Sequence, residues 1–208
     1  MVTGRSAGEA LAMVGLPQIV YVGNHGLEIW ENGRLTTVQE AGYFREALDK
    51  FLDRLRPAIG IRGALIERKG VTASIHYRQV NDPVVARRRI LEAIEETRST
   101  EALRITEGRM IVEIRPPMEV NKGTAVGELV RRHGLAGAVY LGDDLTDLDA
   151  FKELDTLERQ GRLGAKLSIA VVATESPREV IAGADVTTEG VEEVATLLET
   201  LSEELGYD

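Results

Sequence analysis

The sequence predicts an α/β protein, with a doubly wound parallel-sheet core of residues 1–26 and 119–208 and an α+β cap of residues 27–118 inserted into it. Three observations carry this. After residue 119, short apolar runs alternate with amphipathic runs at helical spacing, the pattern of strand, helix, strand. Between 27 and 118 the period changes to paired strands with tight turns, Asn32-Gly33 and Lys69-Gly70 among them. Finally, Gly142-Asp143-Asp144-Leu145-Thr146-Asp147 crowds carboxylates onto a turn between a buried strand and a helix, where open α/β sheets hold ligands.

Met1-Val2-Thr3-Gly4-Arg5 reads as the last residues of a strand and the turn after it, so the first core strand is expected to be missing from the chain. A helix follows over Ala7 to Val14 and stops near Gly15. Gln18 to Val22 is a compact apolar strand running into Gly23-Asn24-His25-Gly26, whose glycines let the backbone come close to a ligand. Leu27 to Glu31 and Leu35 to Val38 form a hairpin about Asn32-Gly33. Phe44, Leu48, Phe51, Leu52 and Leu55 make one stripe of a helix over Ala41 to Leu55. Strands Ala64 to Arg68 and Val71 to Arg78 come next, then a helix that Asp82 caps ahead of Pro83, then strands Leu103 to Thr106 and Met110 to Arg115 turning at Glu107-Gly108-Arg109. Pro116-Pro117 closes the block as a stiff exit. The alternating half runs helix Thr124 to His133, strand Ala138 to Leu141, helix Thr146 to Arg159, strand Leu167 to Val172, helix Pro177 to Ala182, strand Asp185 to Thr188 and helix Val191 to Leu205.

Composition bounds the function. A chain of 208 residues with 43% hydrophobic residues is an ordinary globular protein, long enough for a core with an inserted module. No apolar run approaches the ~20 residues of a membrane span and no leader opens the chain, so a soluble, cytoplasmic protein is expected. Zero cysteines exclude disulfides and thiolate metal sites, leaving oxygen ligands and the three histidines. A net charge of −9 argues against a nucleic-acid partner. The local exception, Arg87-Arg88-Arg89, is followed by Glu92, Glu95 and Glu96 and reads as a solvated helix face.

Three stretches carry chemical promise. Asp143, Asp144 and Asp147 repel one another unless a cation joins them, and Mg²⁺, which takes few protein carboxylates and bridges to phosphate, suits them. Helix capping by Asp144 or Thr146 is the other reading of that turn. Asn121-Lys122-Gly123-Thr124 puts a lysine at a helix N-terminus, where a phosphate fits, although an exposed loop lysine would look the same. In the cap, alternation puts Glu67 and Lys69 on one face and Glu113 and Arg115 on one face, with His76-Tyr77-Arg78 nearby. Such a surface can bind sugar hydroxyls or simply face water. His25 is either a ligand donor or satisfied by local backbone.

Val2-Thr3-Gly4-Arg5, Gly23-Asn24-His25-Gly26-Leu27-Glu28, Glu67-Arg68-Lys69-Gly70 with His76-Tyr77-Arg78, Val112-Glu113-Ile114-Arg115-Pro116, Asn121-Lys122-Gly123 and Gly142-Asp143-Asp144-Leu145-Thr146-Asp147 stand in an order and spacing that resembles the trehalose-6-phosphate phosphatases, in the haloacid dehalogenase-like superfamily. The resemblance covers nearly the whole chain. It implies a phosphomonoesterase acting through an aspartyl-phosphate, with Mg²⁺ neutralising the phosphoryl oxygens and a cap closing over the sugar. By position, Thr3 and Lys122 would hold phosphate. Asp143 would bind the metal, with Asp144 and Asp147 in its support. Arg5, Asn24, His25, Glu67, Lys69, Arg78 and Glu113 would hold trehalose 6-phosphate.

The family's first motif, Asp-x-Asp-Gly-Thr, which supplies the nucleophile and the general acid, has no counterpart in these residues, and Leu148 stands where the family often has another acid. Two functions therefore stay open, a trehalose-6-phosphate phosphatase started late and a non-catalytic sugar-phosphate-binding or partner-binding remnant. The expectation is that the 208 residues alone are inactive and poorly soluble or associated, and that an upstream extension of roughly 25–35 residues, a strand, a loop and a crossover helix, restores both properties.

Overall fold

In a computed structural model the described residues are 1–98, 103–108, 110–174, 176–204 and 206. They form two compact units, Met1–Glu119 and Val120–Asp208. The expected α/β class is what the chain adopts, with helices packed on a parallel sheet and a separate antiparallel α+β block. No helix among the described residues is long and apolar enough to cross a membrane.

The first unit begins with Val2, which makes a lone parallel bridge to Val22. Helix α1 (Ala7–Val14) starts where Ser6 accepts from the Glu9 amide while the Glu9 side chain takes the Ser6 amide, a capping box, and it stops at Gly15 in the left-handed region. β1 (Tyr21–Gly23), β2 (Glu28–Glu31) and β3 (Arg34–Thr37) make an antiparallel sheet, and Asn32 and Gly33 both take positive φ in the β2–β3 turn, as a two-residue hairpin requires. β1 is shorter than the apolar run from Gln18 suggests, and Tyr21 anchors it by burying its ring against Ala7 and Ala10.

Helix α2 (Gln39–Ile59) outruns the expected end at Leu55 and carries Pro57 inside it. Proline weakens the last turn, but Ile59 gains a place in the core and Gly60 then closes the helix in the left-handed region. β4 (Leu65–Lys69), β5 (Thr72–His76), β6 (Arg104–Gly108) and β7 (Ile111–Arg115) form a sheet in the order β4-β5-β7-β6. Arg109, expected in the β6–β7 turn, lies outside the described residues. One face of this sheet, with Ala73, Ile75, Val112 and Ile114, packs on Leu48, Phe51 and Leu55 of α2 and on Ile90 and Ile94 of α3 (Pro83–Thr97). The register pairs Glu67 with Ser74, Ser74 with Glu113 and Glu113 with Thr106, so the opposite face carries one polar row across all its strands.

In the second unit β8 (Gly137–Gly142), β9 (Ala165–Val172) and β10 (Val186–Glu189) are parallel in the order β10-β9-β8. Helices α4 (Lys122–His133), α5 (Asp147–Arg159), α6 (Arg178–Gly183) and α7 (Gly190–Glu204) alternate with them. Phe151 of α5 and Val180 of α6 bury themselves on Ala170 of β9, with Tyr140 packed against them. Asp185 ties β9 to the start of β10, taking the Lys166 ammonium at 2.8 Å and the Ser168 amide at 2.7 Å. α7 buries no residue, and Val191 and Leu198 on it are exposed. Leu205, expected as its last residue, lies outside the described residues.

Candidate active site

In the second unit the turn after β8 is built around Asp147. Its Oδ1 accepts from the Lys122 ammonium at 2.7 Å and from the Tyr140 hydroxyl at 2.8 Å. Its Oδ2 accepts from the backbone amides of Asp143 at 3.2 Å and Asp144 at 3.1 Å. Both charged side chains of the pair are more than nine-tenths buried. A buried ion pair persists only with such extra hydrogen bonds, because each ion has lost its water. Gly142 is required at the strand end, since a Cβ there would sit 2.4 Å from Asp147 Cβ. Burial first, and then the Asp147 charge, push the Tyr140 hydroxyl far above the ordinary tyrosine range, so it stays a proton donor to Asp147. Lys122 is delivered by the start of α4, where Asn121 and Thr124 cap each other reciprocally.

The other two acids behave differently. Asp144 is exposed, and its oxygens take the Leu145 amide at 2.7 Å and the Thr146 hydroxyl at 3.4 Å, which is turn capping. Asp143 is exposed and its carboxylate has no hydrogen-bond partner among the described residues. No cluster of three or more His, Asp or Glu side chains forms a metal cage among the described residues. Mg²⁺ does not need one, since it takes one or two carboxylates and keeps waters. The open oxygen set of Asp143 fits that ion, whereas the oxygens of Asp147 are already occupied by four donors.

In the first unit the Gly23–Gly26 loop carries Asn24 and His25 in the left-handed region, at φ 48° and 58°. A histidine there costs on the order of 1–3 kcal/mol and must be held by its surroundings. Asn24 does the holding. It is fully buried, donates to the Lys69 carbonyl at 2.9 Å and accepts from the Thr72 hydroxyl at 2.8 Å, and its amide reaches the Arg5 carbonyl at 2.7 Å. The His25 amide donates to the Thr3 carbonyl, and Gly4 lets the ring lie close, since a Cβ there would be 2.7 Å from Nε2. His25 Nε2 stands 3.5 Å from Glu113 Oε2, an ion-pair separation, and neither ring nitrogen has a hydrogen-bond partner among the described residues. Glu67 on the same sheet face pairs with His76 at 2.7 Å and with Lys69 at 3.3 Å. The structure thus brings His25, Glu67, Lys69 and Glu113 to one polar face. Arg5 and Arg78 are exposed, and Thr3 is half-buried with its hydroxyl oxygen accepting from the Arg5 amide at 3.2 Å.

Burial pushes the Glu113 carboxyl up, but His25, Arg115 and Lys69 outweigh it and hold it below its ordinary value of 4.5. A depressed carboxyl stabilises the fold above its unfolded-state pKa, and that contribution is lost as pH falls through the lower folded-state value. The stability gap between the wild-type chain and Glu113→Gln, read by urea denaturation, is expected to be present near pH 7 and to close below about pH 4. A gap that stays constant down to about pH 3 would show that the Glu113 charge is not what stabilises.

Tyr140 is the residue that sequence reading missed. Its signal was available, since strand alternation puts it on the same face as Gly142, one pleat before the acidic turn.

A family model described as trehalose-phosphatase matches residues 1–187. The chain is 31% identical over 205 residues to a protein named probable trehalose-phosphate phosphatase G from Arabidopsis thaliana, with 85% of this chain and 52% of that protein covered. It is 33% identical over 196 residues to the trehalose-phosphate phosphatase of Mycobacterium avium (strain 104), covering 85% of this chain and 49% of that protein. The chain therefore spans about half the length of these curated relatives. Among solved structures, one titled trehalose-6-phosphate phosphatase related protein superposes with a TM-score of 0.74 at 25% identity, covering 98% of this chain and 81% of that one. The C-terminal domain of the C. albicans trehalose-6-phosphate phosphatase shares the fold, with a TM-score of 0.72 at 22% identity over 99% of this chain and 77% of that one.

Proposed function

Since the chain belongs to the trehalose-phosphatase family, we propose that it hydrolyses trehalose 6-phosphate to trehalose and phosphate with Mg²⁺, as a cytoplasmic enzyme. The observation that carries this reading is the Lys122–Asp147–Tyr140 knot beside an open Asp143 at the end of a parallel strand. Asp147 fixes the Lys122 ammonium, and a fixed cation is worth far more to a developing phosphoryl charge than a mobile one. The Thr3 hydroxyl, whose oxygen accepts from the Arg5 amide and which donates to no group among the described residues, would donate its proton to a phosphate oxygen. Asp143, with Asp144 and Asp147 in its support, holds the metal, and Mg²⁺ when bound supplies charge neutralisation at the phosphoryl oxygens. His25, Glu67, Lys69 and Glu113 read the sugar hydroxyls, with Arg5 and Arg78 at the margin and Asn24 holding the loop that carries His25. The division into a core of residues 1–26 and 119–208 and a cap of residues 27–118 belongs to the same reading.

The family's chemistry also needs an attacking carboxylate and a general acid, and no Asp-x-Asp-Gly-Thr occurs in these 208 residues. The test is phosphate release from trehalose 6-phosphate by the 208-residue chain and by a polypeptide extended upstream by about 25–35 residues. The extended form is expected to be active and the short form silent. Activity in the short form would overturn the assigned mechanism, and binding without turnover by the extended form would favour the non-catalytic reading.

Within the active form, Glu67→Ala or Glu113→Ala is expected to lower hydrolysis of trehalose 6-phosphate several-fold more than that of a small aryl phosphate. Removing the carboxylate would leave a sugar hydroxyl without its acceptor in the complex, which costs roughly 1–3 kcal/mol, and only the sugar ester would lose that contact. Equal losses on both substrates would assign the two acids to structure.

A further inference from the structure

The α+β block contains a cleft that the phosphatase reading does not use. It has a volume of about 580 Å³ and lies where the loop after α2 meets the loop after β5 and the first turns of α3. Arg62 and Arg89 both line it.

The arginine run of α3 explains why one of its members is left over. Arg87 is held bidentately by Glu107, at 2.6 and 2.7 Å, and Arg88 pairs with Glu92 one turn on, at 3.8 Å. Arg89 has no acid partner among the described residues, and neither has Arg62, which reaches the cleft from a different element. All three arginines of the run are exposed, as a solvated helix face requires, but they are not partnered alike. Two of its charges are matched on the surface, and the third lines the cleft with a second unmatched guanidinium.

The other lining groups set what can bind. Asp82 is the single carboxylate there, and its Oδ1 already accepts the Val84 and Val85 amides at 3.1 and 3.0 Å as the cap of α3. Gln79 and Asn81 contribute amides, while Val85 supplies an apolar wall. Arg62 and Arg89 offer two guanidinium forks of the kind that bind phosphoryl oxygens, against the one carboxylate of Asp82. The volume is that of a small-molecule site and far exceeds one phosphate, and the amides and apolar wall suit a polar organic body attached to it.

We propose that this cleft is a second ligand site, which takes a small organic phosphate anchored by Arg62 and Arg89. The inference rests on the cleft alone and stands or falls independently of the phosphatase reading. Calorimetric titration of the chain with glucose 6-phosphate, with AMP and with inorganic phosphate tests it, the first two arms separating a sugar ester from a nucleotide. At least one ester is expected to bind in the micromolar to low millimolar range, about tenfold or more tighter than inorganic phosphate. Arg62→Gln with Arg89→Gln is expected to weaken that binding at least about tenfold, by loss of two charge-assisted contacts. Arg88→Gln, which removes a neighbouring charge outside the cleft, should leave the affinity unchanged. Both arginines are exposed, so the double variant should keep its fold, which its far-ultraviolet circular dichroism checks. No binding of either ester, binding that the double variant retains, or equal weakening by Arg88→Gln would overturn the proposal.

Discussion

Asp147→Ala is expected to destabilise the second unit by roughly 3–5 kcal/mol, the cost of removing one partner from a buried ion pair and leaving the other charge uncompensated. The Lys122 side chain keeps only 9% exposure, so water cannot replace the lost carboxylate without opening the structure. The same change strips acceptors from the Tyr140 hydroxyl and from the Asp143 and Asp144 amides. Urea denaturation followed through nuclear magnetic resonance signals of the second unit measures the effect as a shift in midpoint at constant slope. Asp147→Asn should fall between the two, because its amide oxygen still accepts while the charge is gone. A loss under about 1 kcal/mol for the alanine variant would mean that the pair is far better solvated than its geometry indicates.

Asp143→Asn is expected to do the opposite, leaving stability nearly unchanged and removing activity. The residue is exposed and its carboxylate is not engaged in the fold, so surface-like effects within about 0.5 kcal/mol are expected. If the proposed phosphatase activity holds, Mg²⁺-dependent phosphate release should fall on the order of 10²-fold or more, the scale for losing one preorganised electrostatic contributor. Lys122→Ala should lower the rate by a similar factor, but together with stability. Full activity of the asparagine variant at ordinary Mg²⁺ would remove Asp143 from the mechanism.

Much of the fold could be read from sequence because its causes are local. Helix α1 runs over the expected Ala7–Val14, since its cap, its apolar stripe and its terminal glycine all lie within a few residues. Asn32-Gly33 turns as a hairpin must, and strand period alone puts Glu67 beside Lys69 and Glu113 beside Arg115, whereas the row that joins Glu67 to Glu113 exists only through the pairing of both strands with β5. What was hidden depends on partners distant in the chain. Nothing near Gln18 says that the strand will pair antiparallel with β2 from Tyr21 onward, and nothing near Pro57 says that Ile59 will find a core to bury in. The acidic turn shows the same limit. Spacing crowds the acids together, but only the approach of Lys122, 25 residues upstream, and of Tyr140 distinguishes the inward Asp147 from the outward Asp143.

Helix α7 has a dynamic consequence. Local opening of a helix is governed by the apolar surface it covers, and α7 lies against β9 and β10 without burying a single residue. Its backbone amides should therefore exchange with solvent through detachment of that segment alone, orders of magnitude faster than those of α5, whose Phe151 and Leu154 can be exposed only when the unit comes apart. The second unit is then expected to show a hierarchy of lifetimes, with a long-lived centre around the Asp147 turn and a last described helix that detaches while the centre stays closed.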